Sequence, residues 1–117
     1  MKVFTTDKIR NVVVLGHSGA GKTSLVSAMN GIATASKQRM TEPAATTQML
    51  VQPILWDDHK INILDVPGAF DFVGEIEEAV GVADAAIIVI SGKNGVENGT
   101  RKAWAMCEKY HLPRIVY

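Results

Sequence analysis

The apolar residues of this chain form short continuous runs separated by polar segments. Val12-Val13-Val14-Leu15 and Ala85 to Ile90 are rich in β-branched residues, which is typical of strands covered on both faces. Ile61 to Leu64 predicts a third strand, and Arg114 to Tyr117 begins a further one. These runs predict a sheet that is buried between other layers.

Met49 to Trp56 alternates imperfectly around Pro53. Proline has no amide proton to donate to a neighbouring strand, so this pattern predicts a strand at the edge of the sheet. The polar turn at 57–60 is too short for a crossover, and it therefore predicts an antiparallel hairpin with the strand at 61–64.

Three segments instead repeat their apolar positions at helical spacing, which predicts amphipathic helices. The first follows residue 24, with Gly31 as its expected stop signal, and leaves 33–48 as a loop. The three stripes are Leu25, Ala28, Met29 and Ile32; Val73, Ile76, Ala79, Val80 and Ala83; and Val96, Thr100, Ala103, Trp104 and Cys107.

Alternation of strands and helices predicts an α/β fold with a mostly parallel, three-layer, doubly wound sheet and one antiparallel edge strand. A chain of 117 residues suits one such domain. Hydrophobic residues make up 47% and charged residues 21%, so the composition is that of a globular protein.

Charge and hydropathy narrow the classes of partner. The formal net charge is +0, which gives no broad basic field for sequence-specific nucleic-acid binding or for an anionic membrane. The longest apolar run is much shorter than a membrane span. With a lone cysteine, Cys107, that we expect in the core, these features favour a cytoplasmic protein.

Residues 16–23 form the pattern Gly-x-x-x-x-Gly-Lys-Thr between a predicted buried strand and a predicted helix, as in a phosphate-binding P-loop. Glycines allow backbone amides to curl around anionic oxygens at a helix N-terminus, the lysine reaches the β- and γ-phosphates, and the threonine hydroxyl binds Mg²⁺. A glycine-rich turn before a helix is the alternative. The predicted nucleotide-binding residues here are Gly16, His17, Ser18, Gly19, Ala20, Gly21, Lys22, Thr23 and Ser24, with His17 and Ser18 contributing only backbone amides.

Asp65-Val66-Pro67-Gly68 follows the predicted strand at 61–64. A carboxylate at Asp65 suits Mg²⁺, directly or through water, and the amide of Gly68 suits a γ-phosphate. The four residues alone are also a common turn. At the end of the next buried strand after the P-loop, however, they predict a second part of the same site.

These segments together resemble the G domain of translational GTPases, and most closely elongation factor G and ribosomal protection proteins. The resemblance rests on residues 16–25, on Ile61 to Gly68, on 71–77, on 83–90, on Gly95 to Thr100 and on 109–117. It implies binding of GTP or GDP with Mg²⁺ held by Thr23 and Asp65, a γ-phosphate sensor at Gly68, and a second switch at 69–82. Thr46 or Thr47 would complete the metal shell from the first switch, and the full-length protein would act on the ribosome.

Three departures qualify what the resemblance implies. Ala69 occupies the position of the usual water-orienting histidine, so no catalytic residue is assigned. The first switch is short, and the chain stops at Tyr117, before the family's Asn-Lys-x-Asp guanine-reading motif. We therefore expect residues 1–117 to be the N-terminal part of a G domain, from a GTPase whose fragment is weak or inactive.

Two other functions remain open: a non-hydrolysing nucleotide-sensing or interaction module, favoured by Ala69, and a P-loop ATPase or kinase of another family. An exposed strand edge at 114–117 also predicts self-association of the fragment.

Overall fold

A computed structural model describes residues 3–35, 50–66 and 73–117 of the chain. After a short 3₁₀ turn at Thr6–Lys8, these residues form five strands and three helices. The strands are β1 (Ile9–Gly16), β2 (Leu50–Trp56), β3 (His59–Asp65), β4 (Ala85–Val89) and β5 (Arg114–Val116). The helices are α1 (Lys22–Ala35), α2 (Val73–Val82) and α3 (Asn98–Lys109).

The five strands form one sheet in the order β2-β3-β1-β4-β5, with β1 at its centre. The neighbours β3 and β4 both run parallel to β1, and β5 runs parallel to β4. Only β2 is antiparallel among the described strands, and it pairs with β3. The predicted mostly parallel α/β sheet with one antiparallel edge strand is therefore confirmed.

Two apolar clusters show that helices cover both faces of the sheet. Successive residues of β1 point to opposite faces, so Val13 and Leu15 join one cluster and Val14 joins the other. The first cluster includes Ala79 of α2 and Ala103 of α3, and the second includes Val26 of α1. Helix α1 thus packs on one face, and α2 and α3 pack on the other.

The β2-β3 hairpin confirms the sequence prediction at its edge strand. Pro53 lies opposite Asn62 on β2, which forms one end of the sheet. Asp57 and Asp58 make the connection, with φ angles of 49° and 58°. Two consecutive left-handed residues suit a two-residue hairpin turn, because their twist matches that of the strands.

Two predicted helix ends were wrong. Helix α1 continues beyond Gly31 to Ala35, and the side chain of Ala33 is buried against the sheet. That tertiary contact outweighs the weak helix propensity of glycine. Val96 lies before α3 and is 56% exposed, since Glu97 and Thr100 form a capping box that begins the helix at Asn98.

No helix in the described parts of the chain is long and apolar enough to span a lipid bilayer.

Candidate functional site

The predicted phosphate loop connects the last residue of β1, Gly16, with the first residue of α1, Lys22. Gly19 and Gly21 have φ angles of 79° and 108°, a conformation that side chains strongly disfavour. The amide of Leu25 donates to the carbonyl oxygen of Gly21 at 3.0 Å, which begins the helical hydrogen bonding. The loop therefore ends at a helix N-terminus, where unpaired amides favour an anion.

Lys22 is the buried cation of this loop. Its side chain folds back so that Nζ donates to the carbonyl oxygens of Gly16 at 3.1 Å and His17 at 3.4 Å. Burial lowers the pKa of the ammonium group, and the charge of Asp65 partly opposes that effect. The residue is only 7% exposed, so its charge lies in a site from which much of the water is excluded.

Asp65 is the last residue of β3 and lies opposite Val14 of β1 in the parallel ladder. Burial raises the pKa of its carboxyl group, and the charge of Lys22 partly opposes that effect. Two predicted site residues that are distant in sequence therefore interact electrostatically. A half-buried carboxylate with a raised pKa is a suitable ligand for a hard cation, because the cation would stabilise its charged form.

The location of the site follows from the sheet. Strands β1, β3 and β4 are parallel, so the residues at their carboxyl ends, Gly16, Asp65 and Val89, lie at one edge. Strands β2 and β3, which follow β1 along the chain, lie on one side of β1, and the next strand, β4, lies on its other side. In open α/β sheets, ligands bind at such a switch point, beyond the carboxyl ends of the strands.

The other predicted site residues divide into two groups. The first group lies in the described part of the chain and contains Ser18, Ala20, Thr23 and Ser24. Ser18 and Ser24 are exposed, and Ala20 is half-buried. Thr23 lies in the first turn of α1. Thr23 lies next to Lys22, so it belongs to the same end of the loop. Four residues lie outside the described ranges: Thr46, Thr47, Gly68 and Ala69.

His17 has a contact that the sequence did not indicate. We expected only its backbone amide to matter, but its imidazole ring lies against the first turn of α3. The amide of Gly99 donates to Nδ1 at 3.0 Å. A contact between residues so distant in sequence has no periodic signal, and only the fold brings the two segments together.

Comparison with known proteins establishes the family. Residues 7–117 match the family described as the elongation factor Tu GTP binding domain. The chain belongs to this family. The chain is also 33% identical over 127 aligned residues to elongation factor G of Salinibacter ruber, an alignment that covers 96% of the chain and 18% of that protein.

Solved structures agree with the assignment of the chain to this family. A crystal structure of a Thermus thermophilus protein superposes with a TM-score of 0.80 and 38% identity, covering 93% of this chain and 19% of that one. Translation elongation factor SelB of Methanococcus maripaludis, solved in complex with the GTP analogue GppNHp, gives a TM-score of 0.77. Its identity is 23% over 92% of this chain and 21% of SelB, which supports the fold alone. The resemblance to translational GTPases is thus confirmed, and the chain spans about a fifth of the length of these relatives.

Proposed function

We propose that this domain binds GTP and GDP with Mg²⁺, as the N-terminal part, residues 1–117, of a translation-factor G domain. The observation that carries the proposal is the buried ammonium group of Lys22. It donates hydrogen bonds to the carbonyl oxygens of Gly16 and His17, and the charge of Asp65 raises its pKa against the effect of burial. A buried cation whose charge Asp65 offsets only in part is costly, and a triphosphate would supply further negative charge.

Each residue has a distinct role in this proposal. The amides of residues 16–24 surround the phosphates, and Lys22 neutralises charge on the β- and γ-phosphates. The Thr23 hydroxyl and the Asp65 carboxylate hold Mg²⁺, which neutralises further phosphate charge. Gly68 senses the γ-phosphate, residues 69–82 form the second switch, and Thr46 or Thr47 contributes from the first.

In the longer protein to which such a domain belongs, we propose that GTP hydrolysis drives a step on the ribosome, in the cytoplasm. The supporting findings are the family match over 7–117 and the likeness to elongation factor G. We assign guanine, and not adenine, as the base on the same grounds.

Ala69 supports a second candidate function, a module that binds nucleotide without hydrolysing it at ordinary rates. A methyl group cannot orient the attacking water through a hydrogen bond. Phosphate release in the presence and absence of ribosomes separates the two functions. Turnover at rates usual for translational GTPases would exclude the second.

The direct test is a lysine substitution at the loop. We expect Lys22→Met to weaken binding of a fluorescent GTP analogue in millimolar Mg²⁺ about ten- to a hundredfold, the loss typical of a charge-assisted hydrogen bond. Lys60→Met is the matched control, because Lys60 lies near the start of β3, away from the carboxyl edge of the sheet. Equal affinity of the Lys22 variant and the wild type would refute nucleotide binding at this loop.

A further inference from the structure

The phosphate loop is attached to α3 through the side chain of His17. One ring nitrogen, Nδ1, accepts the amide hydrogen of Gly99 at 3.0 Å. The other, Nε2, lies 3.1 Å from a carboxylate oxygen of Glu97. The His17 and Glu97 side chains are 25% and 22% exposed, so water competes only partly for these contacts.

The two partners define the tautomer of the ring. A backbone amide can only donate, so Nδ1 must offer its lone pair to Gly99. A carboxylate can only accept, so Nε2 carries the proton and donates to Glu97. One neutral imidazole therefore satisfies both partners at once, and Glu97 is also the residue that caps α3.

Backbone sterics make the same junction tight. A Cβ atom added to Gly99 would lie 2.7 Å from Cα and 2.8 Å from Nδ1 of His17. Contacts this short with backbone are not tolerated, so any larger residue must separate α3 from the loop. The helical Gly31 differs, since a Cβ atom there would meet nothing within 4 Å.

We propose that His17 is a positioning residue that holds the phosphate loop in register with the N-terminus of α3. The loop contains glycines with positive φ angles at 19 and 21, so its own backbone is easily deformed. An anchor to a packed helix reduces the freedom that a ligand would otherwise have to remove. The inference rests on the proposed function for its consequence, which is that nucleotide affinity depends on this junction and that nucleotide in turn stabilises the position of α3.

The first test needs no nucleotide. Nitrogen NMR of the imidazole should show a neutral ring protonated on Nε2, and amide hydrogen exchange should show protection at Gly99. Gly99→Ala should shift the amide resonances of residues 18–21 and accelerate exchange at Asn98 and residue 99, whereas Gly31→Ala should leave all of them unchanged. Unchanged loop amides in Gly99→Ala would overturn the inference.

The second test measures affinity for a fluorescent GDP analogue. His17→Phe keeps a ring of similar size but removes both polar contacts, so we expect about a tenfold loss, as for a buried amide deprived of its acceptor. His17→Asn retains an oxygen near the position of Nδ1 and should recover part of that loss. A general folding defect would give no such rescue, and unfolding curves of the variants identify it.

The outcomes separate the two proposals. If the wild type binds no nucleotide but Gly99→Ala moves the loop amides, the junction stands and the proposed function fails. If the wild type binds nucleotide and His17→Phe binds it equally well with unmoved loop amides, the junction has no positioning role.

Discussion

Lys22 and Asp65 are ionisable residues that the fold takes partly out of water. Burial lowers the pKa of the lysine and raises the pKa of the aspartate, so in both cases the surroundings disfavour the charged form. Their mutual attraction opposes both shifts without cancelling either. The proposed triphosphate and Mg²⁺ would each place an opposite charge beside one of these two groups.

The stability of the nucleotide-free domain should depend on the ionisation of Asp65. Burial raises the pKa of Asp65 in the folded state, so binding a proton at this carboxyl group stabilises the fold. This stabilisation is fully present below the ordinary carboxyl pKa and is lost as the pH rises through the pKa of the folded state. Asp65→Asn should therefore be more stable than the wild type near neutral pH, with the difference shrinking in acid. Urea denaturation in Mg²⁺-free buffer measures this.

Glu78→Gln serves as the control for that comparison, since Glu78 is an exposed residue of α2. An Asp65→Asn protein that is less stable than the wild type at neutral pH would contradict the electrostatic argument.

The same Asp65→Asn protein should lose the dependence of nucleotide affinity on Mg²⁺ if Asp65 is a ligand of the cation.

At the scale of elements, α3 shows how one helix face is committed to the core. Ala103 and Cys107 are buried in the cluster on the α2-α3 side of the sheet, whereas Ala105 is exposed. Both alanines lie in the middle of the same helix and have the same intrinsic propensity. They differ only in the space around them.

Ala103→Leu should therefore destabilise the domain by about 1–3 kcal/mol, because a well-packed core has no room for the larger side chain. Ala105→Leu should change the free energy of unfolding by less than about 0.5 kcal/mol, since it projects into solvent. Chemical denaturation of the two variants provides the measurement. Similar losses in both would mean that α3 does not pack as described.

At the scale of the whole molecule, the two ends of the sheet differ. Strand β2 forms one end and carries Pro53, which limits pairing with another strand. Strand β5 forms the other end among the described strands, and Ile115 and Tyr117 are 68% and 69% exposed there. An apolar edge of this kind is a template for a second chain.

We therefore expect the 117-residue chain to self-associate through β5 as its concentration rises. Ile115→Lys should shift the equilibrium to monomer, because a charged residue on an edge strand opposes pairing. Val51→Lys, an exposed position on the opposite edge strand, should leave the association unchanged. Light scattering across a concentration series measures the mass, and a monomer throughout would rule the association out.

The sequence predicted the elements whose signals are local. Continuous β-branched runs identified β1 and β4, and Pro53 identified the edge strand, because each signal lies within the element itself. The helix ends were less predictable. Whether α1 stops at Gly31 depends on the burial of Ala33, which belongs to tertiary packing.

For the site, the sequence alone predicted which residues would carry the chemistry. The glycine pattern and lysine at 16–23 and the acid at Asp65 lie in motifs whose spacing follows from the phosphate that they would bind. Only the tertiary structure decided that the Lys22 and Asp65 charges act on one another, and that His17 joins the loop to α3. Both interactions join segments that are far apart along the chain, and they exist only because parallel strands bring their carboxyl ends to one edge of the sheet.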